Sequence, residues 1–392
     1  MQIRPTITNA AEFATFCETI HGERFITLDT EFIRERTYFP QLCLLQIGTS
    51  KEAVAVDPLA EGMDLTPLYR VLADPSIIKV FHAAGQDVEI FFRLSGIIPT
   101  PLYDTQIAGM VCGFGESASY ETLVREMVGA KLDKASRFTD WAKRPLSDRQ
   151  LTYALDDVIH LRKIFEIMEA RIAKDNRESW IQEEMQEAYA LSRFQIDTSN
   201  AWKRLKVKSR DPFYLHMLRA VAAWREELAI KRDVPRQRII RDEVVLQIAA
   251  QSPEAVEDLQ QVRGLGNNLS RDWQNSLIDN LNMARIAPKE DFPTPPPRGI
   301  SLNAGQEACL DMLRMLLKQC CEEAHVVPRL VADRDELEAL VKGDLPVSNS
   351  HIFHGWRYEV FGKKAEGLLR GKLHAMVDTA KHGFALKWQE VA

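Results

Sequence analysis

Short apolar runs alternate with amphipathic stretches along the first 170 residues. Runs bounded by polar residues predict β-strands, and they are Phe25–Leu28, Leu42–Ile47, Ala53–Val56 and Ile77–Phe81. Helical patterns lie between and after these runs, and Ser147 and Gln150 have the spacing of a capping box at a helix start. The alternation predicts an α/β domain that ends near residue 170.

Helical spacing dominates the rest of the chain, and we expect no strand after about Asp211. The sequence Ser252-Pro253-Glu254 predicts a helix start, with an N-cap residue, a proline and an acid in order. Residues 292–298 include four prolines, which cannot continue a helix and favour an extended spacer. The predicted division is a domain at 1–170, a helical linker at 171–207, a helical domain at 208–290, a proline-rich linker at 291–299 and a second helical domain at 300–392.

Two tripeptides recur at one offset within the helical part. Val234-Pro235-Arg236 returns as Val327-Pro328-Arg329, and Arg241-Asp242-Glu243 returns as Arg334-Asp335-Glu336. Because both pairs keep the same register, they predict two copies of one helical module. Chance similarity is the other interpretation of such short matches.

Composition narrows the class of protein. The 392 residues are 45% hydrophobic and 27% charged, as in a globular protein of several domains. No apolar run reaches the roughly 18 residues of a membrane span, and Met1–Thr8 lacks the pattern of a secretion signal, so we expect a cytoplasmic protein without a membrane partner. The six cysteines show no C-x-x-C pair, which predicts reduced thiols rather than disulfides or a zinc site.

The net charge of −6 is unevenly distributed along the chain. Residues 1–202 contain 30 acidic and 21 basic side chains, whereas residues 203–288 contain 15 basic and 11 acidic ones. Such asymmetry fits a basic part that attracts phosphates beside an acidic part that binds cations. Ordinary variation among hydrated surfaces is the alternative.

Asp29 and Glu31 stand two residues apart in Leu28-Asp29-Thr30-Glu31-Phe32, at the end of a predicted strand. Alternate residues of a strand share a face, so both carboxylates point the same way. Paired carboxylates are favourable ligands for Mg²⁺, which also keeps water and phosphate in its coordination shell. Two hydrated acids at an exposed strand end are the alternative interpretation.

Further acids strengthen the cation hypothesis. The strand that ends at Phe81 runs into His82-Ala83-Ala84-Gly85-Gln86-Asp87, a strand-to-helix turn that places Asp87 near a helix start. Tyr153 and Asp157 lie four apart on a predicted helix and share one of its faces. Asp156 is the rival of Asp157, because it also lies on the side of Tyr153, three residues on; motif spacing favours Asp157.

The order of these motifs resembles the DEDD superfamily of 3′-5′ exonucleases. The segments Asp104-Thr105-Gln106-Ile107-Ala108 and Asp140-Trp141-x-x-Arg144-Pro145-Leu146 look specifically like ribonuclease D. Thr152 stands where the histidine branch of the superfamily has its histidine, so the tyrosine branch is the better match. The resemblance implies a ribonuclease H-like α/β domain, with a mixed sheet flanked by helices.

The resemblance also implies the site and its cofactors. Two divalent ions, Mg²⁺ or Mn²⁺, would be bound by Asp29, Glu31, Asp87 and Asp157, with Asp29 bridging them. Tyr153 would orient the attacking water, since a phenol with a pKa near 10 is a poor base at neutral pH. The expected catalytic residues are therefore Asp29, Glu31, Asp87, Tyr153 and Asp157.

Four other residues are candidates for contact with the substrate. His82 and Gln86 flank Asp87, although a capping or core role fits them as well. Arg34 and Arg36 follow the first motif and are placed to meet phosphates, although loop arginines are commonly only hydrated.

The basic middle segment, around Trp224-Arg225 and Lys231–Arg236, resembles the HRDC domain of ribonuclease D and RecQ-type helicases. This implies binding to the nucleic-acid backbone, whereas a structural helical bundle is the alternative. The last segment looks like a diverged second copy, because Leu317-Lys318 replaces Trp224-Arg225.

The resemblance predicts a monomeric exoribonuclease that releases nucleoside 5′-monophosphates from structured RNA precursors, mainly transfer RNA. A DNA exonuclease with the same site and a non-catalytic nucleic-acid-binding adaptor are the alternatives. We expect binding to depend on residues 203–392 more than chemistry does.

Overall fold

The structure of the protein is a computed structural model that describes residues 1–132, 139–265, 269–295, 302–343, 350–381 and 383–390. Within these residues no helix combines the length and the apolar character needed to cross a membrane.

A mixed six-stranded sheet forms the centre of the first domain, as predicted. Its strands are β1 (Gln2–Ile3), β2 (Phe25–Ile33), β3 (Gln41–Gly48), β4 (Glu52–Val56), β5 (Ile78–Phe81) and β6 (Leu102–Asp104), in the order β1-β4-β3-β2-β5-β6. Strand β3 is antiparallel to β2 and β4, while β2, β5 and β6 run parallel to one another. The four predicted strands are confirmed, and the short edge strands β1 and β6 were not foreseen.

Helices cover both faces of this sheet. They are α1 (Ala10–Ile20), α2 (Thr66–Ala73), α3 (Gly85–Ser95), α4 (Thr105–Val111), α5 (Tyr120–Leu123), α6 (Asp148–Lys174) and α7 (Glu178–Ala188), and a π-helical turn, Val124–Val128, follows α5. Helices α1, α2 and α3 pack on the face that carries Ile26 and Leu28. Helix α6 packs on the opposite face, where Ala154 and Val158 contact Leu44.

Helix α6 begins where the sequence predicts. The Ser147 side chain accepts a hydrogen bond from the Gln150 backbone N–H. The Gln150 side chain accepts one from the Ser147 backbone N–H, which completes the capping box. The helix continues without a break to Lys174, past the predicted domain end at 170. Two 3₁₀ segments, Leu191–Arg193 and Thr198–Arg204, follow α7 in the predicted linker. The domain bounds therefore stay predictions.

The first helical module contains α8 (Pro212–Arg232), α9 (Arg236–Ile239), α10 (Asp242–Gln251) and α11 (Arg271–Arg285), with 3₁₀ segments at Val256–Gln261 and Lys289–Asp291. Its core includes Leu218, Val245 and Leu277. The predicted helix start at Ser252 is wrong, because Ser252 ends α10 with a φ of 46°. Pro253 has no N–H group and disfavours helical geometry in the residue before it.

The second module repeats the order of elements of the first. It contains α12 (Ala304–Ala324), α13 (Pro328–Val331), α14 (Arg334–Lys342), α15 (Gly355–Arg357) and α16 (Lys363–Leu369), with a 3₁₀ segment at His351–Phe353 and a π-helical turn at Tyr358–Gly362. Both α8 and α12 have 21 residues and end on a left-handed residue, Asp233 or His325. In each module a one-turn helix and a longer helix follow, as the sequence repeat indicates.

The expectation that no strand follows Asp211 is wrong. Strands β7 (Leu373–Lys381) and β8 (Gly383–Glu390) pair antiparallel after α16. Trp388 donates a hydrogen bond of 3.0 Å to Gln319 of α12, and Leu373 is buried in the core of the second module. The sequence does contain a strand pattern here, because Leu373, Ala375 and Val377 alternate with other residues on β7, as Leu386 and Trp388 do on β8. Packing of this face on the second module stabilises the two-stranded hairpin. Residues 296–299 of the predicted proline-rich linker lie outside the described residues.

Candidate active site

Three carboxylates from β2 and α6 converge beside the sheet. Asp29 and Glu31 alternate on β2 and share the face that α6 covers. Asp29, Glu31 and Asp157 each offer a carboxylate oxygen, and these oxygens lie within 4.8 Å of one another. The group includes Asp157, whereas Asp156 is not part of it among the described residues.

Asp87 reaches the same cavity from the first turn of α3. Its side chain accepts a short hydrogen bond from the hydroxyl of Thr30, which lies between the two acids of β2. Asp87 is only 7% exposed, and burial raises its pKa to about 7, although the bond from Thr30 opposes that shift. The turn after β5 therefore brings the fourth predicted carboxylate to the site.

The electrostatics of Asp29 show how crowded the acids are. Burial raises the pKa of Asp29 well above its usual value, and the charges of Asp157, Asp87 and Glu31 raise it further. Like charges in a buried site favour protonation unless a cation balances them. The clustered carboxylate oxygens are a donor set that suits Mg²⁺ or Mn²⁺, so the residues fit the cofactors implied by the sequence.

Tyr153 lines the same cavity, of about 520 Å³, together with the four acids. It lies one helical turn before Asp157 on α6, as the four-residue spacing predicts. The ring of buried Trp141 lies 6.2 Å from the Tyr153 ring, between centroids. All five predicted catalytic residues thus lie around one cavity.

The four predicted substrate contacts divide into two pairs. His82 and Gln86 line the cavity; the ring nitrogen Nδ1 of His82 lies 3.0 Å from the Thr105 hydroxyl, and burial lowers the His82 pKa. Arg34 instead makes two bonds of 2.8 Å to Glu89, and Arg36 is exposed. Neither arginine is among the described residues that line the cavity.

Asp104 organises the turn that carries His82 and Asp87, a role that the sequence did not reveal. Its carboxylate accepts bonds from the backbone N–H groups of Ala83 at 2.8 Å and Ala84 at 3.1 Å, and a short bond from the Tyr189 hydroxyl. Ala83 has a φ of 57°, a conformation that a non-glycine residue adopts only when its surroundings support it. The ribonuclease D-like segment at Asp104 was the available signal.

Two further residues support the site: Tyr120, which no motif indicated, and Arg144, which belongs to the ribonuclease D-like segment at Asp140. The Tyr120 hydroxyl donates to the backbone oxygen of Asp157 at 2.6 Å. Arg144 binds both carboxylate oxygens of Asp57, at 2.6 and 2.7 Å, and the backbone oxygen of Trp141 at 2.7 Å. Arg144 therefore fixes the segment that packs Trp141 against Tyr153.

Comparisons with known proteins agree with this architecture. A family model described as "3'-5' exonuclease" matches residues 5–173, and the HRDC domain model matches residues 215–278. Ribonuclease D of Bartonella henselae is 38% identical over 379 residues, which cover 96% of this chain and 92% of that protein. Ribonuclease D of Jannaschia sp. is 42% identical, over 94% of this chain and 96% of that protein.

A solved structure gives the same result for the fold. The crystal structure of Escherichia coli RNase D, described as an exoribonuclease involved in structured RNA processing, superposes with a TM-score of 0.79 at 28% identity. The match covers 95% of this chain and 99% of that one. The chain therefore belongs to the ribonuclease D family of 3′-5′ exoribonucleases.

Proposed function

We propose that this chain hydrolyses RNA from its 3′ end with two divalent cations, Mg²⁺ or Mn²⁺, and releases nucleoside 5′-monophosphates. The observation that carries the proposal is the group of three carboxylate oxygens within 4.8 Å of one another, with Asp87 on the same cavity. Asp29, Glu31 and Asp157 would hold one cation, with Asp29 shared, and Asp87 would support the other.

When bound, the cations supply an activated water and stabilise the leaving oxygen. The chain positions the ligands. Strand β2 carries Asp29 and Glu31, α6 carries Asp157, and the hydroxyl of Thr30 donates a hydrogen bond to the Asp87 carboxylate. Tyr153 would orient the water, because its phenol lies on the same cavity and is too weak a base at neutral pH. His82 and Gln86 would contact the substrate there.

Arg34 and Arg36 would contact a part of the RNA outside the cavity. Arg34 lines a neighbouring groove beside Arg204 and Arg236, where backbone phosphates upstream of the 3′ end would lie. Arg36 is proposed as an outer phosphate contact, since it is exposed on the same loop. In this division, residues 1–170 would carry the chemistry and the module at 208–290 would contribute to RNA binding.

We further propose structured RNA precursors, transfer RNA above all, as the substrate class, and a cytoplasmic monomer as the working form. The solved relative from Escherichia coli, described as involved in structured RNA processing, supports the substrate class. The HRDC match supports a nucleic-acid contact outside the active site.

The test is release of nucleotides from a 3′-labelled single-stranded RNA and its DNA counterpart, with Mg²⁺, Mn²⁺ or EDTA. We expect metal-dependent release from RNA that is lost in Asp29→Asn and kept in Asp156→Asn, the matched control from outside the carboxylate group. Faster release from DNA would indicate a DNA exonuclease. No release by folded protein, with RNA still bound, would indicate an adaptor.

A further inference from the structure

Gln46 is a fully buried glutamine whose amide has no hydrogen-bond partner. Its exposed fraction is 0%, and neither Nε2 nor Oε1 has a partner among the described residues. Buried amides are almost always bonded, because losing water without a replacement destabilises the folded state. A fully unpaired one in a well-packed sheet therefore calls for an explanation.

The register of the sheet places this amide beside the proposed cation site. Gln46 of β3 lies directly opposite Asp29 of β2, so the two side chains share a face. Opposed residues of antiparallel strands have Cβ atoms about 5 Å apart, which is within reach of a glutamine side chain. Asp29 is therefore the polar neighbour that Gln46 faces across the strand pair.

Apart from the carboxylate group of Asp29, Glu31 and Asp157, the neighbours on this face offer little to an amide. Ala55 is the opposed residue on β4, and Leu44 precedes Gln46 on the same face of β3. Above them α6 contributes Ala154 and Val158 to the same apolar cluster. The next polar side chain along β2, Thr27, already donates to the Val158 backbone at 2.8 Å.

We propose that Gln46 is a positioning residue for the cation site, whose amide nitrogen donates to the Asp29 carboxylate when cations are bound. The inference rests on the proposed function, since it concerns the ligand expected to bridge the two cations. Residues behind a metal ligand fix its orientation, and their loss typically weakens metal binding about 10- to 100-fold. Gln46 would select the Asp29 rotamer that both cations require.

The experiment measures Mn²⁺ binding to the full chain by titration calorimetry in the wild type, Gln46→Met and Gln247→Met. Methionine keeps the length of glutamine and removes its amide. Gln247 of α10 is the matched control, because its Oε1 is also buried and unpaired but lies in the first helical module. We expect a rise in the Mn²⁺ dissociation constant of about tenfold in Gln46→Met only.

Thermal unfolding in EDTA separates positioning from simple packing. The midpoint of Gln46→Met should equal or exceed that of the wild type, because an unpaired buried amide has been removed. If Gln46→Met does not fold, Gln46→Leu serves the same comparison. Conservative Gln46→Asn, which keeps an amide, should regain part of the lost Mn²⁺ affinity.

Two results would overturn the inference alone. One is a dissociation constant within twofold of the wild type in folded Gln46→Met, and the other is an equal loss of Mn²⁺ affinity in Gln247→Met. A different result concerns the proposed function: if the wild type and Asp29→Asn bind Mn²⁺ equally, the cation site itself is wrong and Gln46 has no ligand to position.

Discussion

Replacing Asp29 with asparagine should abolish hydrolysis and, at the same time, stabilise the protein in the absence of metal. The substitution keeps the shape of the side chain and removes one charge from a buried group of acids. Two unit charges 4.8 Å apart, the limit for the oxygens of Asp29, Glu31 and Asp157, repel by about 3 kcal/mol at an effective dielectric constant near 20. Protonation relieves part of this repulsion, so we expect a gain in the free energy of unfolding of about 2 kcal/mol at pH 8.

The gain in the free energy of unfolding of Asp29→Asn should depend on pH, in a direction set by the pKa of Asp29. Burial and the neighbouring acids raise that pKa in the folded state above its ordinary value of 3.8. Stability due to such a group is fully present below the unfolded pKa and is lost as pH rises through the folded pKa. Asparagine does not titrate, so the advantage of Asp29→Asn over the wild type should be larger at pH 8 than at pH 5.5.

Urea unfolding in EDTA at both pH values measures this effect, with Asp156→Asn as the control from the same helix as Asp157. Added Mg²⁺ should reverse the order of stability, because cation binding stabilises only a protein that keeps its ligands. The reasoning fails if Asp29→Asn unfolds at lower urea than the wild type at pH 8. It also fails if the advantage is the same at pH 5.5.

Two further predictions concern contacts that support the site. Arg144→Met should lower the free energy of unfolding by about 3 kcal/mol, because the Asp57 carboxylate, whose side chain is 11% exposed, loses both bonds from Arg144 and keeps only the one from the Leu59 backbone. A double variant with Asp57→Asn should recover part of this loss in urea unfolding, and full additivity would refute the pairing. Tyr38→Phe should lower the free energy of unfolding by about 1 kcal/mol, because Glu226 loses the hydrogen bond from the Tyr38 hydroxyl but keeps its ion pairs with two arginines. A change below roughly 0.3 kcal/mol, the resolution of urea unfolding, would show that this bond contributes little.

The sequence located the site more readily than it revealed the contacts that support it. Strand alternation paired Asp29 with Glu31, and helix spacing paired Tyr153 with Asp157. The resemblance of the ordered motifs to the DEDD exonucleases joined these pairs and added Asp87. The structure brings these side chains to one cavity. Local patterns identified each motif, since each occupies one element or one turn between consecutive elements.

Contacts between distant elements were not predictable in the same way. Asp104 bonds to Ala83 and Tyr189, and Arg144 bonds to Asp57, 87 positions away. Asp104 and Arg144 stand in segments that the motifs marked, but nothing in the sequence names their partners, and only packing of the whole domain decides which pair meets. The β7–β8 hairpin was missed for a different reason, because the two-residue alternation of Ala375 and Val377, and of Leu386 and Trp388, was not weighed against the helical pattern around it.

The first helical module packs against the loop that follows the two acids of β2. The loop after β2 inserts Tyr38 into the module core, where Tyr38 is 6% exposed. Asp233, at the end of α8, accepts bonds from the backbone N–H groups of Tyr38 at 3.1 Å and Phe39 at 3.0 Å. The same loop leaves β2 two residues after Glu31.

Because this loop connects β2 to the first helical module, deleting the module does not separate RNA binding from hydrolysis. Deleting residues 203–392 was expected to weaken RNA binding more than hydrolysis, but deletion would also expose Tyr38 and release the loop that follows the first two acids. A loss of hydrolysis in the truncated chain would then have two causes. Charge reversal at exposed arginines of the module, such as Arg238, leaves Tyr38 and Asp233 in contact. Such variants test the contribution of the module to RNA binding alone, because the loop after β2 stays packed on the module through Tyr38.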